Sequence, residues 1–340
     1  MTSARSRVTA GRAAAALAIA LSVGCTVEQR HSERGTPRRD TASAADGVAT
    51  GVASSPARFL RNVIGFQGPE SATYDPDQDV FFVSNMTGYG SAVDGNGYIA
   101  RMSAGNPDSV QVFIEGGRNG ATLDAPKGMA VQGDTLWVAD ISVLRGFDRH
   151  SGAPVGTIDL KPFGVVQAND VALGPDGTIR VTDTGIVMGK DGVVYQAADK
   201  IFVVGPGRAV RVAASGTQLR RPNGVTWDSV GKRWIVVSFD PFVGEVATFP
   251  ADMSSRTVIR RGTGELDGVA VLPNGTILFS SWAVSSIHAL SGGRDVQIVR
   301  EVPVPADIGI DTRRLHLAIP LSMLGRVQLW DLSQIVNREP

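Results

Sequence analysis

One short phrase recurs six times along this chain, and it restricts the fold more than any other feature. Each copy starts with a polar residue that follows Pro, Ala or Leu and is often followed by Gly. Apolar residues, a turn, and a second apolar run ending in a polar residue complete it. The copies are Pro69-Glu70-Ser71-Ala72-Thr73-Tyr74, Pro126-Lys127-Gly128-Met129-Ala130-Val131, Ala168-Asn169-Asp170-Val171-Ala172-Leu173, Pro222-Asn223-Gly224-Val225-Thr226-Trp227, Leu266-Asp267-Gly268-Val269-Ala270-Val271 and Ala306-Asp307-Ile308-Gly309-Ile310-Asp311. Their polar residues, Glu70, Lys127, Asn169, Asn223, Asp267 and Asp307, are spaced by 57, 42, 54, 44 and 40 residues. Self-similarity at this period marks a repeat architecture, and β-rich repeats of this length are propeller blades. Six copies predict an all-β, six-bladed β-propeller. One polar residue per blade then falls in a ring, where a reaction or a metal would sit.

The runs themselves read as strands. Val80-Phe81-Phe82-Val83, Trp234-Ile235-Val236-Val237 and Thr276-Ile277-Leu278-Phe279 are short, β-branched and aromatic, and turn residues such as Pro175-Asp176-Gly177 and Pro273-Asn274-Gly275 bound them. Near-continuous apolar runs suit strands buried on both faces between neighbouring blades, whereas Ser109 to Ile114 is more polar and reads as an outer strand. Phe59 to Ile64 is a candidate strand to close the ring beside Arg326 to Trp330. Blade 3 carries the longest interruption, Thr184 to Lys200, which reads equally as a binding loop, a lid or a surface excursion. An inner strand leaves one mouth of the channel and the second strand returns to it. Asn85, Asp140, Asp183, Ser238 with Asp240, and Ser281 with Trp282 are therefore expected at the same rim as the first set, in a pattern that points beyond stability.

The repeat covers Ala57 to Val336, leaving one propeller domain (57–340) and an N-terminal segment. Forty Gly and eighteen Pro suit a fold with many turns. With 33 basic and 33 acidic side chains the formal net charge is zero, and no basic-aromatic patch favours nucleic acid. Arg5, Arg7 and Arg12 precede the apolar stretch Ala13 to Val23, which is too short for a stable membrane span. Residues 1–24 read as an export signal. They lead to Cys25, the single cysteine, in Leu21-Ser22-Val23-Gly24-Cys25, which resembles a bacterial lipoprotein signal whose Cys is lipidated. The resemblance, with Thr26 and not Asp after the Cys, implies export and anchoring to the outer membrane facing the periplasm. The lipid would be the only membrane contact, and without lipidation of Cys25 the protein is secreted. Residues 25–56 hold almost no large apolar side chains and read as a disordered tether.

With these repeats in view, the chain resembles the calcium-dependent six-bladed propellers that include gluconolactonase and senescence marker protein, with paraoxonases and strictosidine-synthase-like proteins as more distant relatives. The resemblance implies a metal in the central channel held by Glu70, Asn169, Asn223 and Asp267, all four residue types matching in blade order. Two carboxylates and two amide oxygens are hard donors that suit Ca²⁺, or another divalent cation such as Mg²⁺, and leave positions for water and substrate. The implied activity is hydrolysis of a lactone or related ester, a small-molecule substrate, with Asp267 as ligand and general base; Asp170 and Asp183 read equally as residues supporting that catalysis or as makers of a turn or strand-end hydrogen bond.

Departures from the resemblance bear on substrate. Lys127 stands where paraoxonases place a His, and could hold an anionic group, stabilise an oxyanion, or simply snorkel from the rim into water. Gln167 stands where some gluconolactonases use an Arg, which puts sugar-lactone specificity in doubt. The four histidines fall outside the repeated positions, so a His-based mechanism is not expected. The competing expectation is a non-catalytic propeller that binds a ligand or a protein partner at the cell envelope. A strictosidine-synthase-like condensation is a third reading, disfavoured by the intact ligand set.

Overall fold

Inner strands that begin at the repeated polar residues form six four-stranded antiparallel sheets arranged as a β-propeller. The structure is a computed structural model and describes residues 56–197 and 199–336. The expected export signal, Cys25 and all but the last residue of the expected tether lie outside them. Among the described residues no helix is long and apolar enough to cross a membrane. The inner strands are Pro69–Asp75, Pro126–Gln132, Ala168–Leu173, Pro222–Asp228, Leu266–Val271 and Gly309–Asp311, in blades 1 to 6.

The apolar runs follow from where each blade sits. Side chains alternate along a strand. In blade 1, Phe81 and Val83 pack with Ala318, Val327 and Leu329 of blade 6. Val80 and Phe82, one step out of phase, pack with Met129, Leu136 and Val138 of blade 2. A strand buried on both faces needs apolar residues at every position, so it loses the alternating pattern of a half-exposed sheet. The same arrangement recurs between blades 2 and 3, where Trp137 and Ala139 meet Val181 and Phe202.

Closure comes from the first described strand, ahead of blade 1. The strand Arg58–Ile64 pairs antiparallel with Arg326–Asp331 and supplies the outer strand of blade 6, with Phe59 opposite Trp330 and Asn62 opposite Gln328. The candidate closing strand is thus the observed one.

The Thr184 to Lys200 interruption is not an irregular loop. It folds into a two-stranded hairpin, Ile186–Gly189 against Gly192–Tyr195, outside the blade 3 sheet. Its tip reaches blade 1: the Ser91 N–H donates to the Met188 carbonyl at 3.1 Å, and the Met188 N–H donates to Ser91 Oγ at 2.9 Å. On its other side the Arg221 guanidinium lies over the Tyr195 ring, 4.5 Å from its centroid.

Candidate functional site

In blades 1 to 5 the inner strand pairs its first residue with the last residue of the second strand: Pro69 with Asn85, Pro126 with Asp140, Ala168 with Asp183, Pro222 with Ser238 and Leu266 with Ser281. Both polar sets therefore lie at one mouth of the channel, as the repeat required.

What singles out the first set is a break in register. The ladder slips between Pro69 and Ser71, Pro126 and Met129, Ala168 and Val171, Pro222 and Val225, and Leu266 and Val269. Glu70, Lys127, Asn169, Asn223 and Asp267 each sit on such a bulge, which bends the strand and re-aims a side chain. Asp307 precedes the short blade 6 strand and bridges to Ser71 instead. Inner strands converge here: a methyl group on Gly224 would lie 2.4 Å from the Asp267 carbonyl oxygen, and one on Gly268 would lie 2.5 Å from the Asp307 Cα. Only glycine fits after the polar residue in those blades, which explains the Asn-Gly and Asp-Gly pairs.

The bulges need support that the sequence reading missed. The residue before the last of the second strand is Ser84, Thr182 or Ser280 in blades 1, 3 and 5. Each hydroxyl accepts from a bulge N–H, at 3.0 Å from Ser71, 3.0 Å from Asp170 and 2.8 Å from Gly268. Thr182 Oγ1 then donates to the Asn223 carbonyl at 2.6 Å, and Ser280 Oγ to the Ala306 carbonyl at 2.9 Å. Three hydroxyls in the same register were a visible signal, overlooked beside the more polar residues that follow them.

Those following residues have a plainer role than expected. Asp183 accepts from the N–H groups of Val166 at 3.0 Å and Gln167 at 2.8 Å. Asp140 accepts from Asp124 and Ala125 and pairs with Arg145 at 2.6 Å. Asn85 accepts from Gln67 at 3.2 Å. They tie down the chain entering each blade, so their recurrence at one rim has a stability explanation after all.

The first set behaves differently. Glu70, Lys127, Asn169, Asn223, Asp267 and Asp307 are all buried, Lys127 to 1 % exposure. Lys127 Nζ is 3.6 Å from Glu70 Oε1 and 2.8 Å from Met86 Sδ. Buried acceptors Glu70 Oε2, Asn223 Oδ1 and Asp267 Oδ1 have no hydrogen-bond partner. Burial, reinforced by the neighbouring Glu70 and Asp307, pushes the Asp267 carboxyl well above the usual range. Burial also raises Glu70, against the pull of Lys127. Asp307 is pushed up by burial to about 7, although it accepts from Ser71 Oγ at 2.6 Å. Asp170 is raised well above the usual range by burial and by Asp307, and both its oxygens accept backbone N–H groups, from Val171 and Val225 at 2.6 Å each. Asp170 thus braces blade 3 against blade 4. It borders, with Asp307, the 340 Å³ cavity that continues the channel past Thr73, Met129 and Trp227.

Glu70 and Asp267 face the one ammonium of Lys127, with Asp170 and Asp307 beside them, a buried cluster that is costly unless protons or a cation join it. Among the described residues no group of three or more His, Cys, Asp or Glu side chains is set up to hold a metal ion. The donor set here rests instead on two carboxylates and two amides. Three of its four members present an unpartnered buried oxygen. That chemistry fits a hard divalent cation.

Solved structures share this architecture. The chain superposes on a protein described as a candidate gluconolactonase with a TM-score of 0.61 and 17 % identity, over 82 % of this chain and 92 % of the other. A gluconolactonase from Xanthomonas campestris gives 0.58 at 15 % identity, over 82 % and 95 %. A luciferin-regenerating enzyme gives 0.59 at 11 % identity, over 81 % and 94 %. The fold is that of the gluconolactonase-type six-bladed propellers. No family profile matches the sequence, and no curated protein matches it.

Proposed function

We propose that this protein is a calcium-dependent hydrolase of a lactone or related ester, acting at the mouth of the propeller channel. The observation that carries the reading is the trio of unpartnered buried oxygens on Glu70, Asn223 and Asp267, positions that match the ligand set implied by the resemblance. Asn169 is the fourth donor. The named function of the gluconolactonases that share the fold favours the same chemistry. A bound divalent ion would supply a Lewis acid for the substrate carbonyl. Asp267 would take a proton from the attacking water at a carboxylate oxygen. Lys127, with its ammonium 3.6 Å from Glu70, would stabilise negative charge developing on the substrate oxygen. Asp170 would serve by holding Asn169 and Asn223 in place through its two backbone hydrogen bonds. Export and anchoring through Cys25 belong to the same proposal.

The second reading is a propeller that binds a ligand or protein partner without turnover, and Lys127 favours it, because a resident ammonium already offsets part of the charge in the channel. Calorimetric titration of calcium into the purified protein, with an Asp267→Asn/Asn223→Ala double variant as control, separates the two. One saturable site, lost in the variant, is expected. Absence of binding by the folded wild type would sink the metallohydrolase and leave the binding propeller.

A further inference from the structure

The mouth above the ring is built largely from apolar side chains, and the polar side chains between blades 1 and 3 are committed to one another or to backbone. On the blade 1 side, a methyl group on Gly90 would stand 3.0 Å from Met188 Cε, 3.5 Å from Met86 Sδ and 3.6 Å from Lys127 Nζ, so two thioethers close over the ammonium. On the blade 5 side Trp282 lies beside Asp267, and Phe239 packs edge-on against Trp282 with ring centroids 4.9 Å apart. Further out, the loops joining second to third strands expose Tyr89, Phe242 and Met323, the latter two to 86 % and 78 %, and the inserted hairpin exposes Tyr195.

A hydroxyl-rich ligand would need free donors and acceptors here. Gln167 Oε1 accepts from Ser91 Oγ at 2.8 Å, and Gln167 Nε2 donates to the Gly90 carbonyl at 3.2 Å. The Ser91 hydroxyl also accepts from Met188. Asn85, Asp140 and Asp183 serve the blade-entry backbone. Hydroxyls buried against such a wall lose their water and find few partners beyond Trp282 Nε1 and the ring oxygens, whereas alkyl or aryl surface is favoured there.

We propose that the mouth takes a lactone or ester bearing an apolar alkyl or aryl group and discriminates against polyhydroxylated sugar lactones. Met86, Met188, Trp282 and Phe239 hold the apolar group. The Ile186–Tyr195 hairpin parts from Ser91 to admit it, since the ring residues are otherwise covered. The lactone half of this inference rests on the hydrolase reading above; the apolar half does not.

Two series measured on the full chain with calcium separate the halves. One is turnover of δ-lactones of increasing alkyl length against glucono-δ-lactone. The other is calorimetric binding of the matching lactams, which are not hydrolysed, against gluconolactam. Both kcat/KM and lactam affinity are expected to rise about fourfold per added methylene. Met188→Ser flattens that slope while calcium affinity stays unchanged. Lactam affinity that climbs with chain length while no lactone is turned over supports the apolar mouth and removes the hydrolase. Preference for either glucono compound, a flat alkyl series, or no binding of any lactam overturns the proposal.

Discussion

The two ends of the channel use the same residue types to opposite effect. At the end away from the mouth, Asp75, Asp228 and Asp311 close the inner strands of blades 1, 4 and 6. Each accepts N–H groups from its own hairpin turn, as Asp75 does from Asp77, Asp228 from Gly231 and Asp311 from Arg313. Each also meets a guanidinium, with Arg149 at 2.8 Å from Asp75, Arg233 at 3.1 Å from Asp228 and Arg314 at 2.7 Å from Asp311. Burial works against the Asp75 anion, yet its hydrogen bonds and Arg149 hold it below the usual carboxylate range. At the mouth, Glu70 and Asp267 are as well buried and are pushed up. At the stable end each carboxylate comes with its full set of donors; at the mouth Glu70 Oε2 and Asp267 Oδ1 have none.

Removing a partner at the stable end should have the largest effect on folding. Arg149→Met leaves the Asp75 charge buried and is expected to cost about 3–5 kcal/mol in urea unfolding, with turnover per folded molecule unchanged. Asp267→Asn at the mouth should do the reverse. It lowers kcat by about a hundredfold or more with little change in the unfolding midpoint of the metal-free protein, because it removes a charge the fold does not need. Equal loss of stability in both variants would erase the contrast between the ends.

Thr182→Val tests the support beneath the mouth. It strips the Asp170 N–H of its acceptor and the Asn223 carbonyl of its donor, and about 1–3 kcal/mol of stability should go with them. Calcium affinity should fall in parallel, since both groups belong to residues flanking or forming the donor set. A loss of stability with calcium binding intact would make the hydroxyl a brace alone.

Acidity and alkalinity should act on different ends. Asp79, hydrogen-bonded by Arg314, is held down at about 2. Its folded pKa lies below its unfolded value, so its contribution is present above about pH 4 and is lost as pH falls toward 2. Asp307 has the opposite sign. Its folded carboxyl, at about 7, keeps a proton that the unfolded chain releases near pH 4, so metal-free stability declines as pH rises from about 4 through 7. Urea midpoints across pH 2 to 8 with chelator should show both limbs, and calcium should remove the decline on the upper one. A profile that rises steadily to pH 8 without calcium would contradict the raised carboxyls at the mouth.

Much of this was legible in the sequence because the repeat carries it. The positions of Glu70, Lys127, Asn169, Asn223, Asp267 and Asp307 at one mouth follow from strand direction alone, and the run Phe59 to Ile64 was recognisable as a closing strand. The bulges were not, because a register slip is a property of paired strands and leaves no mark in the spacing of one. Asp140 and Asp183 misled for a related reason: their partners, the N–H groups at residues 124–125 and 166–167, are backbone atoms that have no letter of their own. The hairpin at 186–195 was legible, since Ile186-Val187-Met188 and Val193-Val194-Tyr195 flank a Gly189-Lys190-Asp191-Gly192 turn; its docking on Ser91 was not, because that contact joins blades far apart in the chain.

The closing strand sets a schedule for the whole molecule. Arg58 meets Asp331 across 273 positions, and Ser71 reaches Asp307 across 236. Five blades can form in sequence as the chain emerges, but the last must wait to borrow its outer strand from the beginning. Contacts of such long range are slow to form. The Asp307 N–H donates to the Glu70 carbonyl at 2.9 Å, so the seam of the propeller runs through the ring itself. A chain that lost the sixth blade would keep most of its sheets yet leave the Glu70 carbonyl and the Ser71 hydroxyl without their Asp307 partner.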